Sequence, residues 1–121
     1  MEFIAAADQR ELVNPGVVSR QLIAPHNAAA SRVTITHVSV EPGAVQPRHL
    51  HESSEQTWIA LEGTGMLLLA DDDTRPFAAG DAVRFAKGDV HGLENTGATP
   101  FVYMAVTAPP LDFTAAYRGV R

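Results

Sequence analysis

His49 and His51 stand one residue apart in the stretch GAVQPRHLHESSEQTWIALEG, Gly43 to Gly63. Their segment reads as a short strand, in which side chains alternate between faces, so both imidazoles leave the same side of the chain. Two nitrogen donors held side by side in this way form a metal-ligand geometry. Two oxygen donors, Glu55 and Gln56, follow just before the run Thr57 to Leu61, which reads as the next strand. A third histidine, His91, falls in a second regularly spaced stretch, GDAVRFAKGDVHGLEN, Gly80 to Asn95.

The first stretch has the spacing Gly43-x5-His49-x-His51-x4-Gln56-x6-Gly63, and the second Gly80-x5-Ala86-x-Gly88-x2-His91-x3-Asn95. In this order, with 16 residues between Gly63 and Gly80, the two resemble the paired signature motifs of the cupin superfamily and cover about half the chain. The resemblance implies an all-β fold, a small antiparallel β-barrel of the jelly-roll or double-stranded β-helix type. It also implies a divalent metal in the barrel, bound at the positions of His49, His51, His91 and a carboxylate or amide. The expected metal set is His49, His51, Gln56 and His91.

Two departures from the family pattern bear on that site. Counting back from Gly63 puts Gln56 where the family usually has Glu, while the shorter family spacing from His51 gives Glu55. Family members usually carry an aromatic residue two positions after the ligand, and Trp58 fills that place when Gln56 points inward. Alternation then sends Gln56, Trp58 and Ala60 to one face and Thr57, Ile59 and Leu61 to the other. Ala86 stands where the family has Pro; losing the fixed φ of proline is expected to loosen that turn without removing a donor.

Three imidazoles and one oxygen suit Zn, Mn, Fe or Ni, and affinity order alone does not choose among them. Such a set leaves one or two exchangeable positions, which metal chemistry requires. With Gln56 as fourth ligand all four are neutral, so the full 2+ charge stays on the ion and favours an anionic or enolisable compound chelating through two oxygens. The function expected from the resemblance is a metal-dependent enzyme of isomerase, lyase or dioxygenase type acting on a small oxygenated, anionic substrate. The alternative is a barrel that binds or senses a small molecule without turnover. Candidate acids and bases are Glu55, His37, Tyr103 and Tyr117.

Composition narrows the remaining classes. At 121 residues, 45% of them hydrophobic, the chain is expected to form one domain, residues 1–121, with its core barrel at about 30–108. The nine basic residues are scattered and the net charge is −5, which argues against a binder of the nucleic-acid backbone. No cysteine is present, so disulfides, thiolate metal sites and a cysteine nucleophile are excluded. No run of apolar residues is long enough for a membrane span and the first residues lack a signal-peptide pattern, so no membrane partner and a cytoplasmic location are expected.

The elements that must position the site follow from the rest of the chain. A short helical turn is expected at Asp8 to Leu12, ended by Asn14-Pro15-Gly16, with a strand from Gly16 to Pro25 and a loop that leaves His26 solvated. Arg32 to Glu41 alternates clearly and is rich in Val, Ile and Thr, the plainest strand of all. His37 lies on its Val33, Ile35, Ser39 face, where a packing role is the ordinary one. Pro42-Gly43 suits a type II turn. A strand from Met66 to Ala70 leads to Asp71-Asp72-Asp73, an acidic tip without the glycine and terminal glutamate of a calcium loop; Thr74 to Ala78 pairs back. Phe101 to Thr107 reads as the last barrel strand, stopped by Pro109-Pro110. The tail LDFTAAYRGVR could dock as a short helix on its own barrel or on a neighbour. Apolar residues on both faces of Arg32 to Glu41 leave surface to cover, and the resemblance implies a homodimer.

Overall fold

A computed structural model describes all 121 residues. The strands are β1 (Arg10–Asn14), β2 (Val17–Ile23), β3 (Thr34–Val40), β4 (Val45–His49), β5 (Glu55–Glu62), β6 (Thr64–Leu69), β7 (Thr74–Ala78), β8 (Ala82–Phe85), β9 (His91–Glu94), β10 (Phe101–Ala108) and β11 (Gly119–Val120). They form two antiparallel sheets, one ordered β11-β1-β2-β3-β10-β5-β8 and the other β4-β9-β6-β7. This is the all-β, jelly-roll architecture expected from the motifs.

The core lies on one face of the seven-stranded sheet because alternation places it there. Along β3, Thr34, Thr36, Val38 and Val40 are buried, while Ile35, His37 and Ser39 are only half-buried on the opposite face. Along β5, Gln56, Trp58 and Ala60 are buried and Ile59 and Leu61 are exposed. Trp58, Phe101, Tyr103, Phe85 and Leu93 meet in a cluster of 12 buried apolar residues. An aromatic side chain buries about 150–250 Å², so these few rings supply much of the driving force of so small a barrel.

Turn chemistry sets the register. Ala78-Ala79-Gly80-Asp81 and Ala86-Lys87-Gly88-Asp89 are the same turn used twice. In each, the Asp N–H donates to the Ala carbonyl (2.9 and 3.0 Å) and the Ala N–H donates to the Asp carboxylate (3.0 and 2.9 Å). The third residue has φ +95° at Gly80 and +84° at Gly88, the conformation a type II turn demands. Ala86 therefore does something proline could not, since its N–H closes the turn, and this bond offsets the loss of ring rigidity. Glu41 to Ala44 turns in the same way around Gly43, with Ala44 N–H donating to Glu41 O at 3.0 Å. The motif's last residue, Asn95, is buried; it donates to the Val40 and Thr99 carbonyls and accepts from Gly97 N–H, all at 2.9 Å.

Both ends differ from the sequence expectation. The helical turn expected at Asp8 to Leu12 is a 3-10 turn at Ala6–Asp8, and Arg10–Asn14 is strand, because Leu12 is needed in the core. The tail docks on its own barrel through a 3-10 turn at Thr114–Ala116 followed by β11, which pairs with β1 in the register Leu12 to Val120. No helix is long and apolar enough to cross a membrane.

Candidate metal centre

Each site histidine is set by a different local device. His49 ends β4 and is the cross-strand partner of His91, the first residue of β9; the register shift in β4 between Gln46 and His49 turns the pair toward each other. His51 follows in the bend after β4. Its carbonyl accepts the N–H of Gly88 at 2.8 Å, which joins the first motif to the turn of the second. The ring centroids lie 4.4 Å (His49–His91), 5.1 Å (His49–His51) and 5.2 Å (His51–His91) apart. One nitrogen from each of the three falls within 4.8 Å of the others. Nitrogens on one ion at about 2.0–2.1 Å are at most about 4.2 Å apart, so the rings would have to turn inward to meet on one cation.

The hydrogen bonds decide which ring nitrogens are free. A carbonyl oxygen can only accept, so the contacts of His49 Nδ1 with Pro47 O and of His91 Nδ1 with Asp89 O, both 2.8 Å, place N–H on those nitrogens and a lone pair on each Nε2. Nε2 of His51 is buried with no partner. Burial depresses the His91 imidazolium to about 4, with the His49 and His51 charges acting in the same direction and the Asp89 carbonyl opposing. His51 is lowered by burial and then by His49, against a contact with Gln56. Both rings are therefore held in the neutral form that ligates.

Gln56 points inward from β5 and is only 4% exposed. The Trp58 indole N–H, which can only donate, reaches Gln56 Oε1 at 2.8 Å and fixes the amide orientation, while Nε2 donates to Thr107 Oγ1 at 2.8 Å. Gln56 Oε1 consequently lies 3.1 Å from Nε2 of His91. Both atoms present lone pairs, and such a contact is favourable when a cation sits between them. The orphaned His51 nitrogen and this acceptor–acceptor contact fit a divalent metal. Glu55 faces the other way, exposed and bonded to Arg84.

A cavity of about 790 Å³ opens over His49, His51 and Gln56, with His91 buried behind them. Its walls come from the inner faces of β2, β3, β5 and β10 and from the tail. Of the candidate acids and bases, Tyr103 and Tyr117 line it, whereas Glu55 and His37 do not. The Tyr103 hydroxyl donates to Gln46 Oε1, and burial, then Tyr117, raise it well above the usual tyrosine value. Tyr117 is raised by burial, with the Ser19 side chain opposing. The sequence pattern assigned no site role to Gln46, to Phe113 of the tail, or to Phe85, which stacks on His91 at 4.2 Å and 10°. Only spatial neighbourhood, not spacing, brings them to the site.

The Cupin domain family model matches residues 36–107, more than half of the chain. An uncharacterized protein of Methanocaldococcus jannaschii, MJ1618, is 25% identical over 99 residues, covering 82% of this chain and 78% of that one. Among solved structures, KdgF from Halomonas sp. superposes with a TM-score of 0.76 at 20% identity, over 93% of this chain and 97% of that chain. The polyketide cyclase RemF from Streptomyces resistomycificus gives 0.75 at 25% identity, over 100% of this chain and 84% of that chain. With each motif supplying one strand to each sheet and their three imidazoles converging, the chain belongs to the cupin domain family.

Proposed function

We propose that this protein is a metal-dependent cupin enzyme that holds one divalent transition metal, Zn, Mn, Fe or Ni, on His49, His51, His91 and Gln56, and acts on a small oxygenated compound chelated through two oxygens. The observation that carries this reading is the lone-pair contact between His91 Nε2 and the Oε1 of Gln56, a cavity-lining residue, beside an unpartnered His51 nitrogen. When bound, such an ion polarises ligand oxygens or, as iron, handles dioxygen. The protein's own part is to keep the imidazoles neutral, to fix the Gln56 oxygen through Trp58 and Thr107, and to leave the charge of the ion uncompensated so that an anionic or enolised chelate is favoured.

The groups that move protons in this cavity are limited. Tyr103 and Tyr117 are neutral hydroxyls that can donate or relay a proton; Asp112, the one carboxylate in the lining, is exposed. Among the isomerase, lyase and dioxygenase types, this favours chemistry in which the substrate loses its proton on chelation over chemistry that needs a carboxylate base beside the metal. The same observation supports a second reading, a non-catalytic small-ligand binder, since the Tyr103 proton is already engaged by Gln46. The likeness to a polyketide cyclase favours the enzyme. A homodimer in the cytoplasm completes the proposal, with the outer face of the seven-stranded sheet, which carries Ile35, Ile59, Met104 and Val106, as its contact.

Elemental analysis of protein purified without added metal, followed by turnover screening of oxygen-chelating compounds under oxygen and under nitrogen, tests it. One equivalent of a first-row metal with turnover supports the enzyme, and metal with tight binding but no turnover supports the binder. A protein that takes up no transition metal sinks both.

A further inference from the structure

The family match ends at Thr107, yet much of the cavity wall lies outside it. Asn14 to Ser19 enter from the first hairpin, and Leu111 to Arg118 from the tail. The tail is pinned at both ends. Thr34 Oγ1 donates to Leu111 O at 2.8 Å and accepts from Leu111 N–H at 3.0 Å, and Arg121 N–H donates to Glu11 O at 2.7 Å beside the β1–β11 pairing. It is therefore a fixed wall, and the wall is aromatic. Phe113 stands edge-on to His51 at 5.8 Å, and Tyr117 is half-buried near Tyr103, whose ring lies 4.3 Å from that of Trp58.

The charges of this cavity are as informative as its rings. Two basic side chains other than histidine belong to its lining, Arg48 and Arg118. The Arg48 guanidinium is engaged by the carbonyls of Leu69 (2.8 Å) and Asp73 (3.3 Å). Arg118 is exposed at the mouth, as is Asp112 with the opposite sign. Deeper in, the polar groups are the neutral side chains of Ser19, Thr36, Gln46, Gln56, Tyr103 and Tyr117, between Val17, Val38, Trp58 and Ala105. Among these neutral groups a phosphate or a second carboxylate would lose its water away from the guanidinium of Arg118 at the mouth and that of Arg48 held by backbone carbonyls, and an unpaired charge is costly to bury. A volume of about 790 Å³ also lies in the range for drug-sized ligands, well beyond a three-carbon acid.

We infer that the ligand is a planar, apolar-bodied ring compound that chelates the metal through two adjacent oxygens and carries no phosphate or further carboxylate, its ring lying between the Trp58–Tyr103 pair and the tail's Phe113 and Tyr117. This rests on the metal-chelation reading above and narrows it, since the negative charge sits on the chelating oxygens alone.

The test loads the full chain with Co(II), followed by its visible absorption, and titrates it with tropolone, a planar ring with two adjacent oxygens, and with oxalate and phosphoglycolate. Each affinity is divided by that chelator's affinity for aqueous Co(II), which removes the intrinsic strength of the chelate. The ratio for tropolone is expected to exceed the other two by about tenfold or more, with quenching of the single tryptophan, Trp58. Phe113→Ala is expected to lower the tropolone ratio by about tenfold while leaving that of oxalate in place. Ratios for oxalate or phosphoglycolate that equal or exceed that of tropolone overturn the inference, and this comparison on the wild-type chain holds even if the variant folds poorly. Failure to hold Co(II) overturns the metal reading itself, an outcome visible before any chelator is added.

Discussion

The N–H of Gly88 donates to the carbonyl of His51 at 2.8 Å, so the turn that introduces His91 is tied directly to the bend that carries His51. Gly88 has φ +84° with open space where a Cβ would sit. Gly88→Ala should therefore cost backbone strain and no clash, about 1–2 kcal/mol, seen as a lower urea midpoint at unchanged slope. An unchanged midpoint would mean that the turn relaxes freely and does not brace the site.

Gln56→Glu keeps the shape of the fourth donor and changes its charge. The Trp58 N–H can donate to a carboxylate as readily as to an amide oxygen, and Thr107 can rotate its hydroxyl to donate to the second oxygen. The extra negative charge should tighten Zn(II) binding and weaken an anionic chelator on the loaded ion, each by about tenfold in opposite directions. Parallel shifts of both affinities, measured by calorimetry, would remove Gln56 from the ligand set.

Metal-free protein should lose stability in acid through its histidines. His91 takes up a proton near 6.5 when unfolded and at about 4 when folded, because burial disfavours the cation. Between those values the unfolded chain binds more protons, so the stabilisation is complete above 6.5, declines as pH falls toward 4 and levels off below. The slope is up to ~1 kcal/mol per pH unit, and His51, lowered for the same first reason, adds to it. Urea midpoints of the metal-free chain from pH 7 to 4.5 check this. A flat profile, or the same profile in a His91→Gln variant, contradicts it.

Much of this was legible because it is local. The alternation of Thr34 to Val40, the glycines at turns and the spacing of His49, His51 and His91 are short-range patterns with direct geometric meaning. The inward orientation of Gln56 followed from Trp58 in the same way. Less legible were the ends, where Arg10 to Asn14 became strand because Leu12 found a core and Val120 found a partner more than 100 residues away. The bond from Tyr103 to Gln46 and the placement of Phe113 by His51 are products of tertiary packing, which no spacing encodes. Glu55 was ambiguous in sequence for a physical reason, since neighbours on a strand differ only in face, and its bond to Arg84 takes it to the outer one.

The outer face of the seven-stranded sheet carries a row running Arg20, His37, Met104, Ile59 and Ala82 across five strands, with Thr57, Val106 and Ile35 beside it. Ile59 and Leu61 are 39% and 45% exposed. If two copies cover this face, Ile59→Glu should shift the apparent mass in size-exclusion chromatography from dimer toward monomer without loss of metal binding. A wild-type chain that elutes as monomer at all concentrations ends the proposal of a dimer.

Gly92, next to His91, has no unusual φ; what it supplies is closeness. A Cβ there would lie 2.6 Å from Gln46 O, 2.9 Å from Pro47 C and 3.0 Å from Arg48 N, all backbone atoms of β4. Gly92→Ala must therefore push β4 away from β9, and His49 travels with β4 while His91 stays with β9. The same shift strains the acceptor side of the Tyr103 bond at Gln46. Overpacking of this kind costs about 1–3 kcal/mol, but the sharper effect should fall on the metal, with Zn(II) affinity lower by more than about tenfold in protein that circular dichroism shows to be folded. Gly88→Ala serves as the comparison, since it strains a turn without separating the strands. Retention of wild-type Zn(II) affinity by Gly92→Ala would show that the approach of β4 to β9 does not set the spacing of His49 and His91.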